Sequence, residues 1–302
     1  MIDIITFSTN KTLYSQCERI NKNISNSQIH GGVRGGLLDY FKDIFKLNRP
    51  LKYNNVLVYN TSPKNILLSL FQKLNGKNIL FHLHDPKPHS SILNFIIYIL
   101  NFIQLTISDK ILLFNERLIS HTKSLYPFVD QKEFKVVSHG FPSFNYLKQT
   151  KNSNRIKIGF FGRLMPYKNF ESFLEFSEKY PQHQYFIVGD GYDRYIKKIN
   201  DLNIFFIKGF IDNDQYYSFM LEMDYIFAVY NDVSYSGIVN DAICLRKKII
   251  VSNEVKKVFN DNNCLLMSKS LSLEKSKIDL EGYNSKNGWG KYSSEIIEII
   301  NS

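Results

Sequence analysis

The chain has 302 residues, too many for one ordinary α/β domain and about right for two of ~100 to 200 residues each. Its net charge of +10 favours anionic partners without choosing among nucleotides, phosphates or an anionic membrane surface. Nucleic acid is disfavoured, because no basic stripe is interleaved with aromatics, and the widely spaced Cys17, Cys244 and Cys264 exclude a zinc cluster or a disulfide framework, which favours a reducing compartment.

The opening "MIDIITFSTNK" lacks a basic region ahead of a long apolar core, so no signal peptide is expected. Short apolar runs then alternate with helical ones. Strands are predicted at 2–7, 55–60, 78–84, 110–114 and 134–138, with helices near 36–46, 64–74, 91–106 and 116–125. Two segments of this half carry chemistry. "HGGVRGG" (30–36), with Gly31, Gly32 and Arg34, reads as a permissive glycine loop before a helix. "HLHDPKPH" (82–89) puts His82 and His84 on one side of a strand end, followed by Asp85. These residues and His89 could ligate a metal, but strand-end His and Asp more often bind substrate or satisfy each other, so no metal is assigned. The pair His84 and Asp85 can serve as polar contacts or as an acid–base pair.

The most apolar segment, 92–107, is shorter than the ~20 residues of a spanning helix. It is expected to be a helix buried on nearly all sides, with a monotopic membrane contact as the alternative. The polar stretch 143–155 reads as a linker. Beyond it, strands are predicted at 155–161, 184–189, 204–209, 225–230, 248–252 and 264–268, and helices near 169–179, 192–199, 213–223, 236–245 and 253–260. The fold class is therefore α/β, with two Rossmann-like domains in tandem: residues 1–150, residues 151–288, and a C-terminal helix at 289–302 that packs back on the first domain. Ligands of such sheets bind beyond the carboxyl ends of the strands. Two such domains facing each other make a cleft.

Four loops of the second half sit at strand ends. In "GFFGRLMPYKN" (159–169), Gly162 permits close backbone approach, Arg163 and Lys168 supply two cations, and Asn169 stands as N-cap of the next helix. A phosphate or diphosphate is the expected ligand. "GDGYD" (189–193) contributes Gly189 and Gly191, and "KGFIDNDQ" (208–215) contributes Phe210 and Ile211. In "YNDVSYSGIVNDAI" (230–243), Ser234, Ser236 and Gly237 place backbone N–H groups at a helix start. Asp241 lies one turn on, either facing solvent or accepting hydrogen bonds from sugar hydroxyls.

Together, "IGFFGRLMPYKNFESFLEF", "FIVGDGYD", "IKGFIDNDQYYSFM" and "YNDVSYSGIVNDAICLRKKIIVSN" resemble, in order and spacing, the donor half of family-4 glycosyltransferases of the GT-B fold. The resemblance covers roughly residues 155–255, with "HLHD" as its anchor in the first half. It implies that Arg163 and Lys168 neutralise the diphosphate of a nucleotide sugar, and that Gly189, Gly191, Phe210 and Ile211 flank the base. It also implies that Ser236 and Gly237 meet phosphate and sugar, and that His84 contacts the transferred sugar. Transfer with retention, needing no metal and no cofactor beyond the nucleotide-sugar co-substrate, follows from the same resemblance. Two departures stand out: Val233 and Asp241 occupy the positions where the family carries paired glutamates, and "LRKK" (245–248) replaces a small Gly-Pro turn.

The expected activity is a retaining glycosyltransferase acting on a glycan or lipid-linked acceptor in bacterial capsule or lipopolysaccharide synthesis. It would work in the cytoplasm, with a peripheral contact at the inner face of the membrane. Gly31, Gly32, Arg34 and His82 would lie on the acceptor side. The alternatives are a non-catalytic GT-B partner or glycan-binding subunit, and a GT-B sugar-nucleotide epimerase.

Overall fold

The computed structural model describes residues 1–8, 11–25, 27–33, 51–84, 86, 94–138, 140, 146–147, 154–233, 235–259, 261–267, 273–274 and 288–301. The chain divides into two compact units, Met1–Gly140 together with Asn287–Ser302, and Phe141–Lys286.

The first unit opens with β1 (Ile2–Ser8), α1 (Lys11–Asn23), β2 (Ser27–Val33) and β3 (Asn55–Val58). It continues with α2 (Pro63–Leu74), β4 (Asn78–His82), α3 (Asn94–Ile107), β5 (Lys110–Leu113), α4 (Glu116–Leu125) and β6 (Glu133–Val136). Among the described residues these strands form one parallel sheet in the order β2-β1-β3-β4-β5-β6. The strand order reverses between β1 and β3, where Thr6 Oγ1 donates to Asn60 Oδ1 at 3.1 Å. Helix starts follow local chemistry. Ser62 caps α2 ahead of Pro63, and Asn115 caps α4, each side-chain oxygen accepting a backbone N–H.

Two expectations change here. Residues 30–33 are not loop but the end of β2, in register with β1 from Ile2↔Ser27 to Ser8↔Val33. A glycine pair has no strand signature of its own. The ladder with β1 supplies the backbone hydrogen bonds that make it a strand. Arg34 and the helix expected near 36–46 lie outside the described residues, as do Asp85, His89 and most of the 143–155 segment. The second change concerns α3, which is not buried on nearly all sides. Leu105 and Gln104 are fully covered, whereas Phe95, Ile96, Ile99, Phe102 and Ile103 are exposed.

The second unit comprises β7 (Lys157–Phe161), α5 (Phe170–Lys179), β8 (Gln184–Gly189), α6 (Ile196–Asp201), β9 (Phe205–Lys208) and α7 (Asn213–Glu222). It continues with β10 (Tyr225–Ala228), α8 (Gly237–Cys244), β11 (Lys248–Val251), α9 (Asn253–Phe259) and β12 (Cys264–Leu266). Its parallel sheet runs β12-β11-β10-β7-β8-β9, so the order reverses between β7 and β10. Apolar side chains fill both faces: Phe160, Phe170, Phe173 and Ile187 on one, and Phe161, Met220, Ile226 and Val239 on the other. Burial on both faces is why these strands read as continuous apolar runs in the sequence.

The last helix, α10 (Gly288–Asn301), belongs to the first unit. Its Trp289, Tyr292 and Ile296 join Ile2, Ile4, Cys17 and Ile20 in one core. Trp289 packs so closely on Gly140 that a Cβ there would fall 2.1 Å from the indole. No helix of the described residues is long and apolar enough to cross a membrane.

Candidate functional site

The loops after β7, β8, β9 and β10 all emerge at the carboxyl edge of the second sheet, and β7 and β10 flank its switch point. That is where doubly wound sheets hold ligands. Adjacent exits are tied together. Gly162 N–H donates to the Val188 carbonyl and Gly209 N–H to the Gly189 carbonyl, both at 2.8 Å. Across the switch point, Asn231 N–H donates to the Tyr167 carbonyl, also at 2.8 Å. The glycines are required by this crowding. A Cβ on Gly189 would sit 2.1 Å from the Gly162 carbonyl oxygen. Gly162 has φ +87°, and a Cβ there would meet Ile238 Cδ1 at 2.7 Å and Lys168 Nζ at 2.8 Å. Tyr192 fixes the same turn from below, its hydroxyl donating to the Gly162 carbonyl at 2.7 Å.

The two cations of the first loop have different fates. Arg163 is exposed. Lys168 closes a single 3₁₀ turn, Pro166–Lys168, and is 4% exposed. Its Nζ donates to the Phe161 carbonyl at 3.2 Å. Burial pulls the Lys168 ammonium down from an ordinary 10.5 to about 7. Asn169 precedes α5 but takes a left-handed conformation, φ 50° and ψ 55°, and its side chain makes no cap hydrogen bond. The expected Asn169 cap is therefore absent, because the tight turn that buries Lys168 sets the backbone instead.

The helix start after β10 is built as a cap. Ser236 Oγ accepts from Val239 N–H at 3.4 Å, and Gly237 opens α8 with open space around it. Ile238, in the first turn of α8, reaches Gly162, so the α8 N-terminus, the Gly162 turn and Lys168 Nζ converge. Asp241 is buried, which excludes the solvent-facing alternative. Val233 is also buried, within the core cluster of Tyr230, Val239 and Ala242. Gly191 has φ +88° and lies against Leu164. Phe210 is the most exposed large apolar side chain described, at 85%, with Ile211 half-buried beside it. Ser234 lies outside the described residues.

In the first unit, His84 leans on the switch point of its own sheet, with Nε2–H donating to the Tyr59 carbonyl at 2.9 Å. His82 and His84 stack, their ring centroids 4.6 Å apart, as expected of residues on one side of a strand. His82 is fully buried, its Nδ1 2.8 Å from the Tyr292 hydroxyl. Tyr292 lies 210 residues away in α10, and Tyr192 stands inside "GDGYD" beside the glycines, 30 residues from Gly162. Neither partnership carries a sequence signal. Gly31 and Gly32 lie within β2.

No family model matches the chain, and no curated protein matches it in sequence. Solved structures do. Anabaena HepE in complex with UDP superposes with a TM-score of 0.62 at 14% identity, covering 99% of this chain and 90% of that one. The fold is GT-B. HepE with UDP-glucose gives 0.62 at 16% identity, covering 99% and 88%. The UDP-GlcNAc 2-epimerase of Methanocaldococcus jannaschii gives 0.58 at 12% identity, covering 99% of each chain.

Proposed function

We propose that the second unit binds the diphosphate of a nucleotide sugar and that the protein is a glycosyltransferase. The observation that carries this reading is Lys168. An ammonium almost removed from water, beside a glycine turn and a capped helix N-terminus at the switch point, is an unfavourable arrangement until an anion arrives. A diphosphate there would accept from Lys168 and from the N–H groups that open α8, while the exposed Arg163 closes on it from solvent. Gly189, Gly191, Phe210 and Ile211 would meet the base, and Asp241 the sugar hydroxyls. The structural neighbours solved with UDP and UDP-glucose support a uridine diphosphate donor.

In this reading the bond between the anomeric carbon and the diphosphate breaks, and the acceptor oxygen bonds to that carbon on the same face. The acceptor's proton leaves with the diphosphate. Charge building on the departing oxygen is stabilised by fixed cations in place of a metal. The acceptor class proposed with it is a glycan or lipid-linked glycan of bacterial capsule or lipopolysaccharide. His84 is assigned to the sugar by the resemblance alone. The second reading, a sugar-nucleotide epimerase, is supported by the epimerases among the similar structures.

Titration calorimetry with UDP tests the site. Lys168→Ala and Arg163→Ala should each weaken binding by on the order of 2 to 5 kcal/mol, the loss expected when one partner of a desolvated charge pair is removed. Unchanged affinity in both would refute the assignment. Incubation with UDP-sugars in EDTA separates the readings: a glycosylated product supports transfer, an inverted C2 centre on the recovered nucleotide sugar supports epimerisation, and binding without either supports a non-catalytic subunit.

A further inference from the structure

The α2–α3 pair of the first unit hydrogen-bonds through buried polar side chains and carries apolar ones outward. Along the seam between the helices, Gln104 Nε2 donates to Ser69 Oγ at 3.2 Å, and Thr61 Oγ1 donates to Asn101 Oδ1 at 2.7 Å. Ser69, Gln72, Asn101 and Gln104 are all buried. The outward faces are the reverse. On α2, Leu67, Leu70 and Leu74 form a stripe at spacings of three and four, and Leu74 is 79% exposed. On α3, Phe95, Ile99 and Phe102 form the matching stripe, and Phe95 is 71% exposed. The ring of Phe128, just after α4, extends it by packing on Phe102 at 4.4 Å.

A helix on an aqueous surface turns its apolar stripe to the core and its polar face to water. Here Ile66, Leu68 and Leu105 are buried, yet two neighbouring helices also turn apolar stripes outward, while polar residues hydrogen-bond across their seam. The result is a contiguous apolar surface of a kind that marks an interaction site.

Its charge selects the occupant. Neither α2 nor α3 contains an aspartate or glutamate; Lys64 of α2 is buried, and Lys73, in its last turn, reaches the surface. At their C-terminal ends stand Lys77 and Lys132, whose Nζ donates to the carbonyls of Thr106 and Ser108. Asp109, just after α3, is engaged by Lys73. A second copy laid face to face would oppose lysine to lysine with no carboxylate on either helix to answer. An anionic lipid surface meets both features, taking the apolar side chains below the headgroups and the lysines among them. With 14 residues, α3 spans ~21 Å, short of the ~30 Å of a hydrocarbon core, so the pair would lie in the interface and not cross it.

We propose that the outward face of α2 and α3 docks the protein on an anionic bilayer surface. This does not rest on the nucleotide-sugar reading, since it uses none of the residues of that site.

Sedimentation of the full-length protein with vesicles tests it. Binding to phosphatidylcholine mixed with phosphatidylglycerol should be strong at low salt and weakened by salt, and binding to phosphatidylcholine alone should be weaker. Leu74→Glu/Phe95→Glu should reduce vesicle binding about tenfold or more, as two charges at the apolar face would, and Leu74→Ser/Phe95→Ser should reduce it less. Phe205→Glu, at an exposed apolar residue of the second unit, should leave it unchanged. Far-ultraviolet circular dichroism and thermal melts of each variant verify folding independently of lipid. The proposal is overturned if the wild type does not sediment with anionic vesicles, or if both double variants bind as the wild type does. It is equally overturned if ultracentrifugation shows a dimer that these substitutions abolish, which would assign the face to a second copy.

Discussion

Replacing Lys168 with methionine should stabilise the protein and disable it. The side chain is 4% exposed, and burial lowers its pKa from 10.5 to about 7. In the unfolded chain the ammonium keeps its proton up to 10.5, whereas in the fold it loses it above about 7. The lowered pKa of a cation is a destabilising contribution, fully present below pH 7 and relieved as the pH climbs toward 10.5. At ~1.4 kcal/mol per tenfold, the contribution below pH 7 is on the order of 5 kcal/mol. Methionine has similar length and no charge. It forfeits the hydrogen bond to the Phe161 carbonyl, worth ~1 kcal/mol, and some packing. Lys168→Met should therefore be more stable than wild type at pH 6 by roughly 2 to 4 kcal/mol, with the gap closing as pH approaches 10. Urea denaturation of both proteins across that range measures the difference curve, which isolates this residue from every other titration. UDP binding at pH 8 should take up a proton in the wild type and not in the variant, read from calorimetry in buffers of different ionisation enthalpy. A variant less stable at pH 6, or a stability difference that does not change with pH, would refute the assignment of a buried, strained ammonium.

Two further outcomes follow from the strand exits. Gly189→Ala should cost about 3 kcal/mol or more, since its methyl group would overlap the Gly162 carbonyl and neither backbone can yield. Gly209→Ala meets open space, so only its φ of +99° opposes the change and the loss should be about 1 to 2 kcal/mol; thermal melts that ranked the two in reverse would contradict the tight Gly162–Gly189 contact. Val233→Glu restores the residue type that the resemblance leads one to expect, yet it should destabilise by about 3 kcal/mol or more and not raise transfer, because the site is core. Higher activity at unchanged stability would show that position 233 faces the ligand.

The second unit was the more legible half, for a reason visible in particular residues. Strands such as Lys157–Phe161 and Gln184–Gly189 are covered on both faces, so their identity is written as unbroken apolar runs. Each exit needs a glycine or a capping serine, so Gly162, Gly189 and Ser236 punctuate the chain where the loops turn. In the first unit that punctuation misled. Gly31 and Gly32 look like a loop and are held as strand by pairing with Thr6 and Phe7. The second unit has a case of its own: Asn169 looks like a helix cap, but its backbone is left-handed and its side chain does not cap.

Local chemistry thus settled the alternation of elements, the tandem arrangement and the set of loops that carry glycine, cation and serine, because periodicity and turn preference act over a few residues. What depended on distant parts of the chain was decided only by the tertiary structure. Arg163 and Lys168 are equivalent as letters, yet one stays in water and the other is enclosed by a turn and by the first turn of α8, some seventy residues on. His82 meets Tyr292 from the other end of the chain. The outward apolar face of α2 and α3 has the same physical origin. Amphipathic spacing says that a helix has two faces, but which of them turns inward depends on what its neighbour offers, and here Ser69 and Gln104 offered each other hydrogen bonds.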